Sequence, residues 1–222
     1  MDVQRKQWNE RQQALRQALG TPGAFETTQG LFAEQHALVH AGALTGRAGT
    51  FDDDLWRELP DEAARCIPPG GEHSIAWCLW HAARIEDVAL NVLVAGSSQV
   101  WEQEGWGTRL KVEQRDAGNA MDASAIAALS EVIDLQALRA YRTSVGARTR
   151  EIVASLRPED LRRKVTPERL QRVQAEGAVD PGAEWLLEYW GGLKVAGLLL
   201  MPPTRHNLVH LNEAQRIRQK AA

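Results

Sequence analysis

Cysteine is scarce. Only Cys66 and Cys78 occur among 222 residues, too few for a disulfide framework, and the expected compartment is a reducing cytoplasm. Aromatic residues make up 6% of the chain, and Val, Ile and Thr seldom cluster, so no alternating run bounded by turn dipeptides predicts a strand. The longest apolar stretch, residues 195–201, is far too short to cross a bilayer, and the polar residues 1–19 do not read as a signal peptide. A net charge of -3 supplies no field to gather nucleic acid or anionic membrane, so neither is an expected partner. Positive charge does gather over residues 157–172 and near the C-terminal end, where solvated helix faces are expected. Several motifs are missing: HExxH, a Walker loop, a nucleophile elbow and a dinucleotide fingerprint. The Gly191-Gly192-Leu193-Lys194 stretch lacks phosphate-loop spacing.

What the chain has is helical periodicity. Residues 3–19 predict a polar helix closed by Gly20, and residues 28–44 a second, with Leu31, Phe32, Gln35, Leu38 and Val39 on adjoining faces. One or two short helices fit residues 52–66, before Pro68-Pro69-Gly70-Gly71. Ser74 is a predicted N-cap for a helix running to about residue 95. A polar loop over 96–121 carries Trp101 and Trp106, and residues 124–156 predict one long helix or two abutting ones. Residues 159–182 are charged and broken by Pro167 and Pro181. Residues 184–201 are helical and rich in small side chains, a candidate packing face within the chain or in a homodimer. Pro202-Pro203 is expected to end that helix, with Thr204 capping a last one to about residue 220. The fold expected is all-α: a four-helix bundle with a long crossover and extra short helices, in a domain over 28–222 preceded by a helical extension over 1–27.

The six histidines are not scattered. His36 with His40, and His206 with His210, have the spacing i, i+4, which puts two imidazoles on one helix face about 6 Å apart at Cβ. A metal ion such as zinc wants three or four ligands, so a third must come from another helix. His81 shares its stripe with Trp77, Cys78, Ile85, Val88 and Val92 and is expected to point into the bundle. Three histidines without a fourth ligand would leave an open position, an arrangement suited to catalysis. Hydrogen-bonded core histidines are the competing reading. His36 and His40 are candidates for a fourth ligand, a hydrogen-bond partner or a proton carrier, and Glu213 for orienting an imidazole. Cys78 reads as a small buried hydrophobe, and His73, ahead of its helix, as exposed and inert. Trp77 and Trp80 are expected to pack the bundle; Trp101, Trp106, Trp185 and Trp190 could pack the core or wall a pocket at the ion. Any ion should be lost as pH falls through the imidazole range near ~6.5.

Residues 71–87, with Trp77 and His81 as Trp-x-x-x-His, resemble the second-helix signature of the DinB superfamily. Residues 205–214, with His206 and His210 as His-x-x-x-His, resemble its C-terminal motif. The resemblance extends over about residues 30–220. It implies a four-helix bundle with one long crossover and a divalent metal ion on His81, His206 and His210, with zinc, nickel or iron the leading identities. Some members of that superfamily transfer low-molecular-weight thiols such as bacillithiol, mycothiol or glutathione, or isomerise with their help. The implied function is a metal-dependent transferase or hydrolase acting on a small-molecule substrate; among the candidate catalytic residues, His36 or His40 would then be the base and Glu213 an orienter. The alternative is a non-catalytic metal-binding module with a stress-related or interaction role. The chain departs from the pattern in an insertion-like segment over 159–201.

Overall fold

Helices account for nearly all the regular structure in the computed structural model, which describes residues 2–221. Five are long: α1 (Asp2–Gly20), α2 (Phe25–Val39), α3 (Ile75–Asp87), α4 (Leu135–Ser155) and α5 (Asn207–Ala221). No strand occurs among the described residues; a single antiparallel bridge joins Lys164 and Lys194. Helices α2 to α5 form the bundle, with α3 packed between α4 and α5, and α1 lying along α2. The crossover from α3 to α4 spans residues 96–134 and holds three short helices, Val100–Gln103, Trp106–Leu110 and Ala123–Val132. The expected run over 124–156 is thus two abutting helices, each started by an aspartate: Asp122 accepts from the amide of Ala125, and Asp134 from that of Ala137.

Helix α3 is the axis of the molecule. The Ser74 hydroxyl accepts from the Trp77 amide at 2.9 Å and sets the helix register. Every residue from Ile75 to Asp87 is buried, because the helix is surrounded. Trp77, Trp80, Tyr141 and Leu208 fill one core cluster, and Ile85, Leu90, Ile152 and Leu198 a second. Asp87 ties the crossover to the axis, its carboxylate accepting from the amides of Val100 (2.8 Å) and Trp101 (2.9 Å) and from the Tyr141 hydroxyl (2.8 Å).

Beyond Asp87 the helix widens into a π-helical segment, Val88–Ala95, that ends at Gly96 with φ of 73°. Its last carbonyls are capped from the charged segment. Arg169 donates to Leu93 and Val94, Arg163 to Val94, and Arg172 to Gly96. These arginines were expected on a solvated face. They instead supply donors and positive charge where a helix C-terminus lacks both.

Two expected boundaries are corrected. Helix α2 ends at Val39, not near residue 44, because the Gly42 amide donates to Asp53 Oδ2 (3.0 Å) and so leaves the helical ladder. At the other end Pro202-Pro203 does not stop the chain, and Thr204 does not cap. Val195–Leu200 passes into a π-helical turn, Met201–His206, that runs directly into α5. Prolines lack the N–H that an α-helical turn needs, and side chains take up the freed carbonyls. Thr204 Oγ1 donates to Leu200 O (2.8 Å), Gln12 Nε2 to the same carbonyl (2.8 Å), and Asn207 Nδ2 to Pro202 O (3.1 Å).

Candidate metal centre

Three histidines meet where α3 faces the π-helical turn and the start of α5. His81 lies two turns into α3, His206 closes the π-helical turn, and His210 lies one turn into α5. The ring centroids are 5.1 Å apart for His81 and His206, 4.8 Å for His81 and His210, and 4.6 Å for His206 and His210. One donor atom from each lies within 4.8 Å of the other two.

His81 is held from behind by a hydrogen bond, and His210 has a carboxylate beside it. His81 Nδ1 donates to the carbonyl of Ala117 at 2.5 Å, which fixes its tautomer and leaves the Nε2 lone pair free. That carbonyl is presented by a loop folded tightly on Trp80. Asp116 Oδ1 accepts from the Gly118 amide (2.7 Å), and Gly118 has φ of 81°, with the position of a Cβ only 2.6 Å from Trp80 Cζ3. On the other side Trp77 stacks parallel to His81 at 4.7 Å and to His73 at 3.9 Å. Glu213 spans two rings, with Oε1 2.7 Å from His73 Nδ1 and Oε2 3.2 Å from His210 Nδ1. His73 is therefore partly buried and engaged, not the exposed bystander its position before the helix suggested.

Burial, with His210 nearby, holds the His81 imidazole down at about 3. Burial and then the other two rings hold His206 well below its ordinary range. The His210 ring draws the Glu213 carboxyl down to about 2, against the effect of burial and with help from His73. His81 and His206 are thus neutral at neutral pH, as ligands must be. The Nδ1 atoms of His206 and His210 are both buried without a hydrogen-bond partner, the Glu213 contact to His210 being an ion-pair distance only. The neutral rings of His81 and His206 face each other and His210 with no acceptor between them, a donor set that suits an ion taking imidazole nitrogen.

His36 and His40 are elsewhere. Their Nε2 atoms lie 2.9 and 3.0 Å from the two oxygens of Glu86, and all three side chains are fully buried. Glu86 follows His81 by five residues, a rotation of roughly 140° around α3. The pair expected to serve the three histidines therefore packs on another face of the same helix. His73, Cys78 and Glu213 form a further group with donor atoms within 4.8 Å. Burial and then Glu213 push the Cys78 thiol well up, which keeps it protonated.

The tryptophans divide clearly. Trp101 and Trp106 pack on Tyr141, Trp190 is buried in the second core cluster, and Trp185 faces solvent. Trp77 is the one in ring contact with His81.

Glu86, Asn207 and the Ala117 carbonyl escaped the sequence reading. For Glu86 a signal existed: two adjacent carboxylates, Glu86-Asp87, interrupt an otherwise apolar inward face. For the carbonyl there was none, since any residue supplies one. A family model described as the DinB superfamily matches residues 53–188, more than half of the chain. The matched span contains His81 and Glu86 and stops short of His206 and His210. No curated protein matches the chain.

Proposed function

Since the chain belongs to the DinB superfamily, we propose that it is a metal-dependent transferase or hydrolase acting on a small molecule, with one divalent ion on His81, His206 and His210. One observation carries this reading: imidazoles from two separate stretches of helix each bring a donor nitrogen within 4.8 Å of the other two. A divalent ion bound there supplies Lewis acidity that makes a water or a thiol nucleophilic near neutral pH.

The chain's own residues then have separate tasks. The Ala117 carbonyl holds the His81 tautomer, and Glu213 orients His210. Glu213, the expected orienter, lies 3.2 Å from His210 and is a quarter exposed, whereas the candidate bases His36 and His40 are fully buried on Glu86. His210 remains 12% exposed and the neighbouring Arg205 faces solvent, so the cluster is not sealed on that side. That opening favours the enzyme over a closed, purely structural site.

The test combines elemental analysis with a thiol-consumption assay. Tag-free protein should consume a low-molecular-weight thiol (bacillithiol, mycothiol or glutathione) in the presence of an electrophilic acceptor. His81→Ala, His206→Ala and His210→Ala should each lose one ion per chain and the turnover with it. A folded His206→Ala chain with full metal content would end the proposal. An ion lost as expected, but no turnover with any of the thiols or with ester and amide substrates, would leave a non-catalytic metal-binding module.

A further inference from the structure

We propose that His36, His40 and Glu86 form a second metal site, separate from the three-histidine centre, that takes one first-row divalent cation on two imidazole nitrogens and a carboxylate. The donors come from two helices, the HxxxH pair at the end of α2 and Glu86 on α3, and lie within 4.8 Å of one another. The separations between nitrogen and oxygen are 2.9 and 3.0 Å. Neighbouring ligand atoms around an octahedral ion with bonds of about 2.1 Å stand roughly 3 Å apart. The same spacing suits a hydrogen bond, so distance does not choose between the two.

Charge chooses. Glu86 is completely buried, and a carboxylate at that depth is costly unless a positive charge balances it. Its hydrogen-bond partners are His36, His40, Thr149 Oγ1 (2.7 Å) and Asn207 Nδ2 (2.7 Å). None of these bears a fixed positive charge. The two fully buried guanidiniums of the bundle belong to other carboxylates, Arg142 to Asp52 and Arg84 to Asp87. A divalent ion would supply that charge, as would one proton shared among the three groups, and counting ions separates the two.

The surroundings resemble the outer layer of a metal site. Thr149 from α4 and Asn207 from α5 each hold one oxygen of Glu86, which fixes the plane of the carboxylate. Gly146 on α4 is packed so closely that a Cβ there would lie 2.8 Å from His40 Nδ1, so that ring cannot swing away. The Nδ1 atoms of His36 and His40 are buried without partners, a feature common to the hydrogen-bonded and metal-bound arrangements. Two imidazoles with one carboxylate is a donor set that first-row divalent ions accept, Fe(II) among them. An ion here would join α2 to α3 directly and reach α4 and α5 through Thr149 and Asn207.

The experiment counts ions after stripping the full-length, tag-free chain and reloading it with Co(II) alone, read by elemental analysis and by visible absorption. The wild type should take up two ions per chain. The His81→Ala/His206→Ala double variant should retain one, and Glu86→Gln, checked for fold by circular dichroism, should lose one. Zero ions in a folded double variant would overturn the second site while leaving the three-histidine reading intact. One ion in both the wild type and the double variant would support the second site and sink the first. If Glu86→Gln does not fold, the double variant alone decides.

Discussion

Glu213 shows how much one side chain can carry. It reaches His73 with one oxygen and His210 with the other, from a position where sequence alone assigned it a role beside His210 only. A carboxylate that orients a ligating imidazole typically contributes about 10–100-fold to metal affinity. Glu213→Gln should therefore weaken the ion on the three histidines by that factor, measured by competition with a chromogenic chelator. His73→Ala should weaken it less but measurably, because it frees Glu213 from one of its two anchors. Unchanged affinity in Glu213→Gln would mean the carboxylate does not act through His210. His81 was legible because its stripe was apolar and pointed inward. The contact between His73 and Glu213 was not, since the two are 140 residues apart and only packing joins them.

At the scale of the element, the π-helical turn Met201–His206 decides where His206 goes. Sequence reasoning treats Pro-Pro as a terminator, because it counts the missing N–H groups and cannot see what satisfies the carbonyls left behind. Here Gln12, Thr204 and Asn207 do so, and the chain stays helical through both prolines. The helix begun by Ser74 was the opposite case: its cap, its periodicity and its glycine stop are all local and could be read directly. Asn207 is the hinge pin of the turn, donating to Glu86 and Pro202 while accepting from Arg142 Nη1 (3.3 Å). Asn207→Ala should cost about 1–3 kcal/mol, measured by urea denaturation, because it strands buried polar groups. It should also loosen the ion on the three histidines. A stable variant with unaltered metal content would show that the turn holds its shape without it.

For the whole molecule, the buried histidines tie stability to pH. His36 is held down at about 4 and His81 at about 3, chiefly by burial, and His206 lies well below its ordinary range. In the unfolded chain each returns to about 6.5. Below that value the unfolded state binds more protons than the folded one, so stability is full above ~6.5 and falls as pH drops toward the folded values. The thermal midpoint of metal-free protein should decline steadily from pH 7.5 to 4.5. A flat profile would mean these rings are not neutral in the folded chain. With metal bound, the depressed values at His81 and His206 weaken proton competition. Release of the ion should therefore lie below the ~6.5 expected from unperturbed imidazole. No described helix is long and apolar enough to cross a membrane.

Trp77 lies flat between His73 and His81, with ring planes within 5° of parallel on both sides. If His81 holds an ion as proposed, an indole in face contact with it is an optical gauge of that ligand. Loading with a paramagnetic ion such as Co(II) or Cu(II) should quench its emission, and Trp77→Phe should abolish that part of the response while the other seven tryptophans keep glowing. Under the proposed function, Trp77 would serve as a built-in indicator by which occupancy of the three-histidine centre is followed in real time without any label.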